Sequence, residues 1–258
     1  MSTNVGFDNS HFSDQVVVVT GAASGIGAAA AKLIARRGGR VILLDRDEAG
    51  LAATAEGIDR EAGISESMVL DVTDESGIKS AVGEILAKYG RIDALANSAG
   101  ITGPTGVNVE DLTTEDFERI LKINLYGSIW LTQAVLPSMK ANKYGRIVHL
   151  ASIAGKEGNP GMAPYNTSKA GLIGFIKGVA KENASLGITI NAIAPAVIRS
   201  NLNVATNPET MAYMLSRIPV GRQGEGEEVA ELVAFAASRA CSFTTGFTFD
   251  ISGGRATY

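Results

Sequence analysis

Short runs of β-branched and apolar residues alternate with segments of helical periodicity along this chain, and that alternation admits few architectures. Residues 16–19, 40–44, 67–70, 94–96, 146–150, 188–193 and 247–249 read as strands, and most are largely apolar throughout. A strand apolar on both sides must be covered on both sides, the condition of a parallel sheet between crossover helices. Residues 26–37, 76–89, 117–139, 163–186 and 227–238 carry apolar side chains at three- and four-residue spacing and supply those helices. The expected fold is therefore α/β, a doubly wound parallel sheet with helices on both faces. No repeat, low-complexity stretch or Pro-rich linker breaks the pattern, so residues 1–258 are expected to form one domain. The irregular stretch is 199–222, with one short helical pattern at 209–216. Following a strand, it reads as a lid over a ligand crevice.

With 45% hydrophobic and 19% charged residues, the chain can build one large core without staples. A net charge of -4 and a pI near 5.3 offer no basic footprint for nucleic acid or anionic lipid, and neither partner is expected. Cys241 is the only cysteine, and His11 and His149 are the only histidines. An intrachain disulfide is thus impossible, no metal site is expected, and the reducing cytoplasm is the expected compartment. The polar opening residues 1–14 do not read as a signal peptide, and no stretch approaches the roughly 18 apolar residues of a membrane helix.

Directly after the first strand stands Thr20-Gly21-Ala22-Ala23-Ser24-Gly25-Ile26-Gly27, opening into a helix. Gly21 permits the tight turn, Gly25 lets a pyrophosphate approach the backbone, and Gly27 lets helix and strand pack closely, with the helix N-terminus facing the anion. The spacing differs from the usual G-x-G-x-x-G, so its position carries the reading. Asp45 ends the second strand, where a carboxylate accepts hydrogen bonds from adenosine ribose hydroxyls. It would repel the extra phosphate of NADP, and Ala22, Ala23 and Ser24 provide no cation to offset it, so NAD is the expected cofactor despite Arg46 next door.

Tyr165 and Lys169 lie four apart on a helical pattern, which stacks them on one face. A phenol is a poor base at neutral pH, and a nearby ammonium is expected to lower its pKa, so that Tyr165 could take an alcohol proton as hydride leaves carbon. Ser152 follows a strand, where its hydroxyl could hold the substrate oxygen. A Ser-His-Asp hydrolase would need a nucleophile elbow and a placed histidine, and the sequence has neither. His149, inside a strand, reads as a packed or edge residue rather than a base.

With the glycine turn, Asp45, Ser152, Tyr165 and Lys169 in this order, the chain resembles the short-chain dehydrogenase/reductase family over essentially its full length. Further motifs recur: Asp71 after the third strand, Asn97-Ser98-Ala99-Gly100 after the fourth, Asn124 in the long helix, and Pro195 after the sixth. The resemblance implies a Rossmann-type sheet and a hydride exchanged between nicotinamide and a secondary alcohol or ketone. It implies that Asp71, with Val72, lies at the adenine and that Asn97 steadies the sheet beside the cofactor. Ser24, Ile26, Arg46, Ala99 and Gly100 belong to the same cofactor-binding set. Asn124 would complete a proton relay through water to Lys169, which also holds the nicotinamide ribose. Val197 and Ile198 would offer backbone groups to the carboxamide, with Ser200 near it. Ser98 stands where the family usually has Asn, and Ala196 where it usually has Gly. A homotetramer built on the helices at 117–139 and 163–186 is also implied.

Residues 154–160 and 252–258 are similar to members that oxidise 2-keto-3-deoxy sugar acids of the rhamnonate and fuconate type. A carboxylate substrate calls for a cation or several donors near the hydride. Arg199 is the preferred residue, joined by Lys156 and Asn159, with Ser152 and Tyr165 at the reacting oxygen. A 3-oxoacyl carrier-protein reductase, a polyol or sugar dehydrogenase, and a non-catalytic dinucleotide sensor are the alternatives. Asp45 argues against the first of these, whose members usually prefer NADPH.

Overall fold

In a computed structural model of the protein, residues 11–199 and 206–257 are described. Seven strands form one parallel sheet in the order β3-β2-β1-β4-β5-β6-β7. They are β1 (Val16–Thr20), β2 (Arg40–Asp45), β3 (Ile64–Val69), β4 (Ala94–Asn97), β5 (Gly145–Leu150), β6 (Ile188–Pro195) and β7 (Thr248–Ile251). The strands between the edges are apolar because successive side chains enter different cores. Val17, Val19, Val41, Leu43 and Val148 pack on one face with α1 (Gly25–Arg36), α2 (Glu48–Asp59) and α9 (Gly226–Ala237). Val16, Val18, Ile42, Leu44 and Ile147 pack on the other with α3 (Glu75–Tyr89), α5 (Gly127–Asn142) and α7 (Ala163–Asn183).

From β1 the chain winds outward to β2 and β3, then returns to β4 and winds the other way to β7. The connections diverge between β1 and β4, so a crevice opens beyond the carboxyl ends of these two strands. The strand ends and following loops there carry Ser98, Ser152 and Val197, and helix α7 brings Tyr165 and Lys169 to them.

Several elements differ from the sequence reading. Helix α2 has no counterpart in it, because its buried stripe is only Leu51, Thr54 and Ile58 and its other face is small and polar. Its N-terminus is capped by the Asp47 carboxylate, which accepts from the Gly50 amide. The expected helix at 117–139 is α4 (Thr114–Leu121), a π-helical turn (Lys122–Tyr126) and α5. The third strand begins at Ile64 rather than 67, and as an edge it leaves Ile64 and Val69 exposed. The four-residue helix α6 (Ala154–Glu157) follows β5. Within the expected lid, Ser200 and residues 201–205 lie outside the described residues. The remainder contains α8 (Pro208–Ser216), capped by the Asn207 amide oxygen on the Glu209 and Thr210 amides. No described helix is long and apolar enough to cross a membrane.

Candidate active site

The glycine turn joins β1 to α1 under tight steric control. Gly21 has φ +64°, and a Cβ there would meet the Ser98 carbonyl carbon at 2.8 Å; a Cβ on Gly27 would lie 2.1 Å from the Gly21 oxygen. Gly25 is also left-handed, at φ +54°. Helix α1 starts without a side-chain cap or an acid in its first turn, so its leading amides are not used by a cap. The cleft in front of this turn is lined by Ser24, Ile26, Asp45, Arg46, Asp71 and Val72, among others, and runs on to Ala99 and Gly100. One Asp45 oxygen accepts from the Ala23 amide and the other from the Asp47 amide, both at 3.1 Å, which braces the turn and keeps the carboxylate at the cleft wall. Asp71 is held by the Thr73 amide at 2.8 Å. The Ser98 hydroxyl, also at the wall, is buried without a partner among the described residues.

A second cavity adjoins the cleft, sharing Ile26, Ser98, Gly100 and Ile101 with it. Ser152, Tyr165 and Lys169 line it together. Ser152 comes from the end of β5, and α7 brings Tyr165 and Lys169 to the same face one turn apart. The Lys169 amine donates to the Leu150 carbonyl at 2.6 Å and lies 5.7 Å from the centre of the Tyr165 ring. Burial holds the Lys169 amine down to about 8. The Tyr165 phenol goes the other way from the sequence expectation. Burial raises it above its ordinary value, and a hydrogen bond with Ser152 opposes the rise. Desolvating the phenolate outweighs the help of the Ser152 hydroxyl.

Behind these groups runs a buried polar chain. The Asn97 amide donates to Ser128 at 2.8 Å and to His149 Nδ1 at 3.0 Å, and its oxygen accepts from Thr20. Since Asn97 donates to Nδ1, the proton of the neutral ring sits on Nε2 and faces Thr132 at 3.0 Å. His149 lies on the central strand β5 and is fully buried, and its pKa is pushed down to about 3, by burial first and then by Lys169. It is a packed residue, not an edge residue or a base. Asn124, on the π turn, pairs with both backbone groups of Ile101 at 2.9 Å and donates to Ser168 at 3.0 Å.

The polar residues expected to meet a substrate divide into two groups. Asn159 lines the cavity with Tyr165 and is 4% exposed. Arg199 does not reach it: its backbone amide is held on the Gly224 carbonyl, and its side chain is 70% exposed and pairs with Glu225, the N-cap of α9, at 3.1 Å. Lys156 is turned to the β7 edge, where it pairs with Asp250 at 2.6 Å. Besides Lys169, the cation among the described residues that lines the cavity is Arg255, from the segment after β7, with a side chain 1% exposed. Its Nε donates to Glu157 at 3.0 Å and its Nη2 to the Asn159 oxygen at 2.6 Å. Sequence reasoning passed over Arg255 because nothing in a short tail after the last strand signals burial. Pro195, Val197 and Ile198 line the cavity, as does Met214 from α8.

Residues 21–256 match a family model described as enoyl-(acyl carrier protein) reductase. A 2-dehydro-3-deoxy-L-rhamnonate dehydrogenase (NAD(+)) of Sphingomonas sp. (strain SKA58) is 44% identical over 247 residues, covering 96% of this chain and 97% of that protein. The chain belongs to the short-chain dehydrogenase/reductase family. Among other members, a 3-oxoacyl-[acyl-carrier-protein] reductase of Thermotoga maritima is 40% identical over 93% of this chain and 97% of its own length. The crystal structure of levodione reductase superposes with a TM-score of 0.90 at 32% identity, covering 96% of this chain and all of that one, 100%. The seven-stranded parallel sheet is thus the family's fold, and this short-chain dehydrogenase/reductase is an oxidoreductase acting on CH-OH groups.

Proposed function

We propose that the protein is an NAD-dependent dehydrogenase that oxidises a secondary hydroxyl of a 2-dehydro-3-deoxy sugar acid. The observation that carries this reading is the gathering of Ser152, Tyr165 and Lys169 in one cavity that opens onto the glycine-turn cleft. The 44% identity to the rhamnonate-type dehydrogenase supports the substrate class and the cofactor.

The residues present fit a nicotinamide dinucleotide. Gly21, Gly25 and the uncapped N-terminus of α1 suit a pyrophosphate, and Asp45 suits a ribose diol and disfavours a 2′-phosphate. The orphaned Ser98 hydroxyl and the unused amine hydrogens of Lys169 are further donors along the path. Asp71 and Val72 would flank the adenine, and Pro195, Val197 and Ile198 the nicotinamide end. When bound, the cofactor supplies the acceptor for the hydride leaving the carbinol carbon. The protein's own residues handle the proton. Ser152 holds the substrate oxygen, and Tyr165 takes the hydroxyl proton through its phenolic oxygen as the carbonyl forms. Lys169, cationic below about pH 8, favours the phenolate. A Cβ on Gly100 would lie 3.1 Å from Asn124 Oδ1 and 3.5 Å from Lys169 Nζ, so a small space separates these two groups. With both amide hydrogens of Asn124 spent, its Oδ1 retains a lone pair for a water leading protons to Lys169.

Helix α8 and the adjoining 199–222 segment act as the substrate lid of a single catalytic domain, with Met214 against the cavity. The assembly is a homotetramer working in the cytoplasm. Absorbance at the reduced-nicotinamide band, recorded with NAD or NADP and a panel of sugar acids and polyols, tests the reading. Turnover with NAD on a 2-dehydro-3-deoxy sugar acid is expected. Turnover only with NADP, or only on neutral polyols or 3-oxoacyl thioesters, would contradict it.

A further inference from the structure

We propose that Arg255, with Asn159, is the carboxylate anchor that makes the catalytic cavity selective for acidic substrates. This rests on the sugar-acid reading and names the residues responsible for it.

The cavity around Tyr165 contains two donors with unfinished hydrogen bonding. Arg255 Nη1 is buried and has no partner among the described residues. The rest of that guanidinium is committed, with Nε on Glu157 and Nη2 on the Asn159 oxygen. Asn159 is fixed in turn: its backbone amide donates to the Asn166 side-chain oxygen at 3.1 Å, and its backbone carbonyl accepts from the Asn166 side-chain amide at 2.8 Å. Among the described residues its side-chain nitrogen has only the Met214 sulfur, at 3.5 Å. A thioether is a weak acceptor, so this second donor is also poorly satisfied.

A buried cationic N–H without an acceptor is costly, and folded proteins seldom leave one without reason. Here both donors belong to residues that line the cavity together with Tyr165 and Lys169. Glu157 neutralises the Nε edge of Arg255 and fixes its rotamer, leaving the Nη1 end for a second oxyanion. The planar guanidinium and the amide then offer two hydrogen bonds to one carboxylate, which orients the hydroxyl-bearing carbons toward Tyr165. A neutral polyol or a thioester has no group to complete this pair. Arg199 and Lys156 cannot substitute, being engaged with Glu225 and Asp250 outside the cavity lining.

The test compares 2-dehydro-3-deoxy-L-rhamnonate with its primary carboxamide, using wild type, Arg255→Met and Arg255→Lys. Loss of one charged hydrogen bond corresponds to about a ten- to hundredfold change. Arg255→Met is expected to raise KM for the acid by about that factor, while kcat/KM for the carboxamide, whose neutral carbonyl makes a weaker hydrogen bond, falls much less and the Kd for NAD stays unchanged. Arg255→Lys should recover part of the loss. Equal loss on acid and carboxamide, or no loss on either, overturns the proposal. Should Arg255→Met fail to fold, the wild type still decides: a preference for acid over carboxamide of the same order supports the anchor. Equal use of the two removes it while leaving the sugar-acid reading intact. Wild type that oxidises neither removes that reading as well.

Discussion

His149 and Lys169 are both basic and both buried, one behind the cavity and one lining it, yet burial leaves them in different charge states at neutral pH. Lys169 keeps its proton below about pH 8, whereas His149 stays neutral down to about 3. The histidine therefore carries a stability cost in acid. Below its ordinary value of 6.5 the unfolded chain binds a proton that the folded protein refuses, so stability falls with pH until about 3 is reached. At the full shift this amounts to roughly 5 kcal/mol. Urea unfolding at pH 7, 5 and 4 should show a steeper acid loss for wild type than for His149→Gln, whatever the variant loses at pH 7. Parallel pH dependences would contradict it. At this scale the sequence was legible where chemistry restricts residue type: Tyr165, Lys169, Ser152 and Asp45 all stand at the site. It was not legible for Arg199 and Arg255. Both are arginines on connecting segments, and only the three-dimensional course of the chain sends one to Glu225 and the other into the cavity.

Elements announced themselves in proportion to how thoroughly they are buried. Strand β1 is four consecutive valines with both faces covered, and no other reading suits it. Edge strand β3, Ile64–Val69, carries three polar residues in a row, Ser65-Glu66-Ser67, so its first half was missed. Helix α2 buries a stripe of three residues, too narrow for periodicity to detect, although a parallel β2–β3 pair demanded a crossover there. The π turn at Lys122–Tyr126 leaves no compositional mark, but it is the element that carries Asn124 to Ile101 and Ser168.

Assembly is a property of the whole molecule. Helix α7 exposes Ala170, Gly174 and Gly178, with nothing within 4 Å of a Cβ at either glycine, a surface that lets another helix approach closely. Tyr126, stacked on Trp130 with ring centres 5.9 Å apart, is half exposed nearby. Sedimentation equilibrium is expected to give the mass of four chains, and a monomer mass would end the tetramer reading. The account as a whole turns on one oxygen atom. Tyr165→Phe removes it while leaving the ring against α8 and every described contact of the glycine turn in place. The decisive measurement is NAD-dependent oxidation by Tyr165→Phe, with the Kd for NAD determined on the same sample. A loss of at least about a hundredfold in kcat with an unchanged Kd is predicted. A variant that binds NAD and still turns over at the wild-type rate would contradict the account.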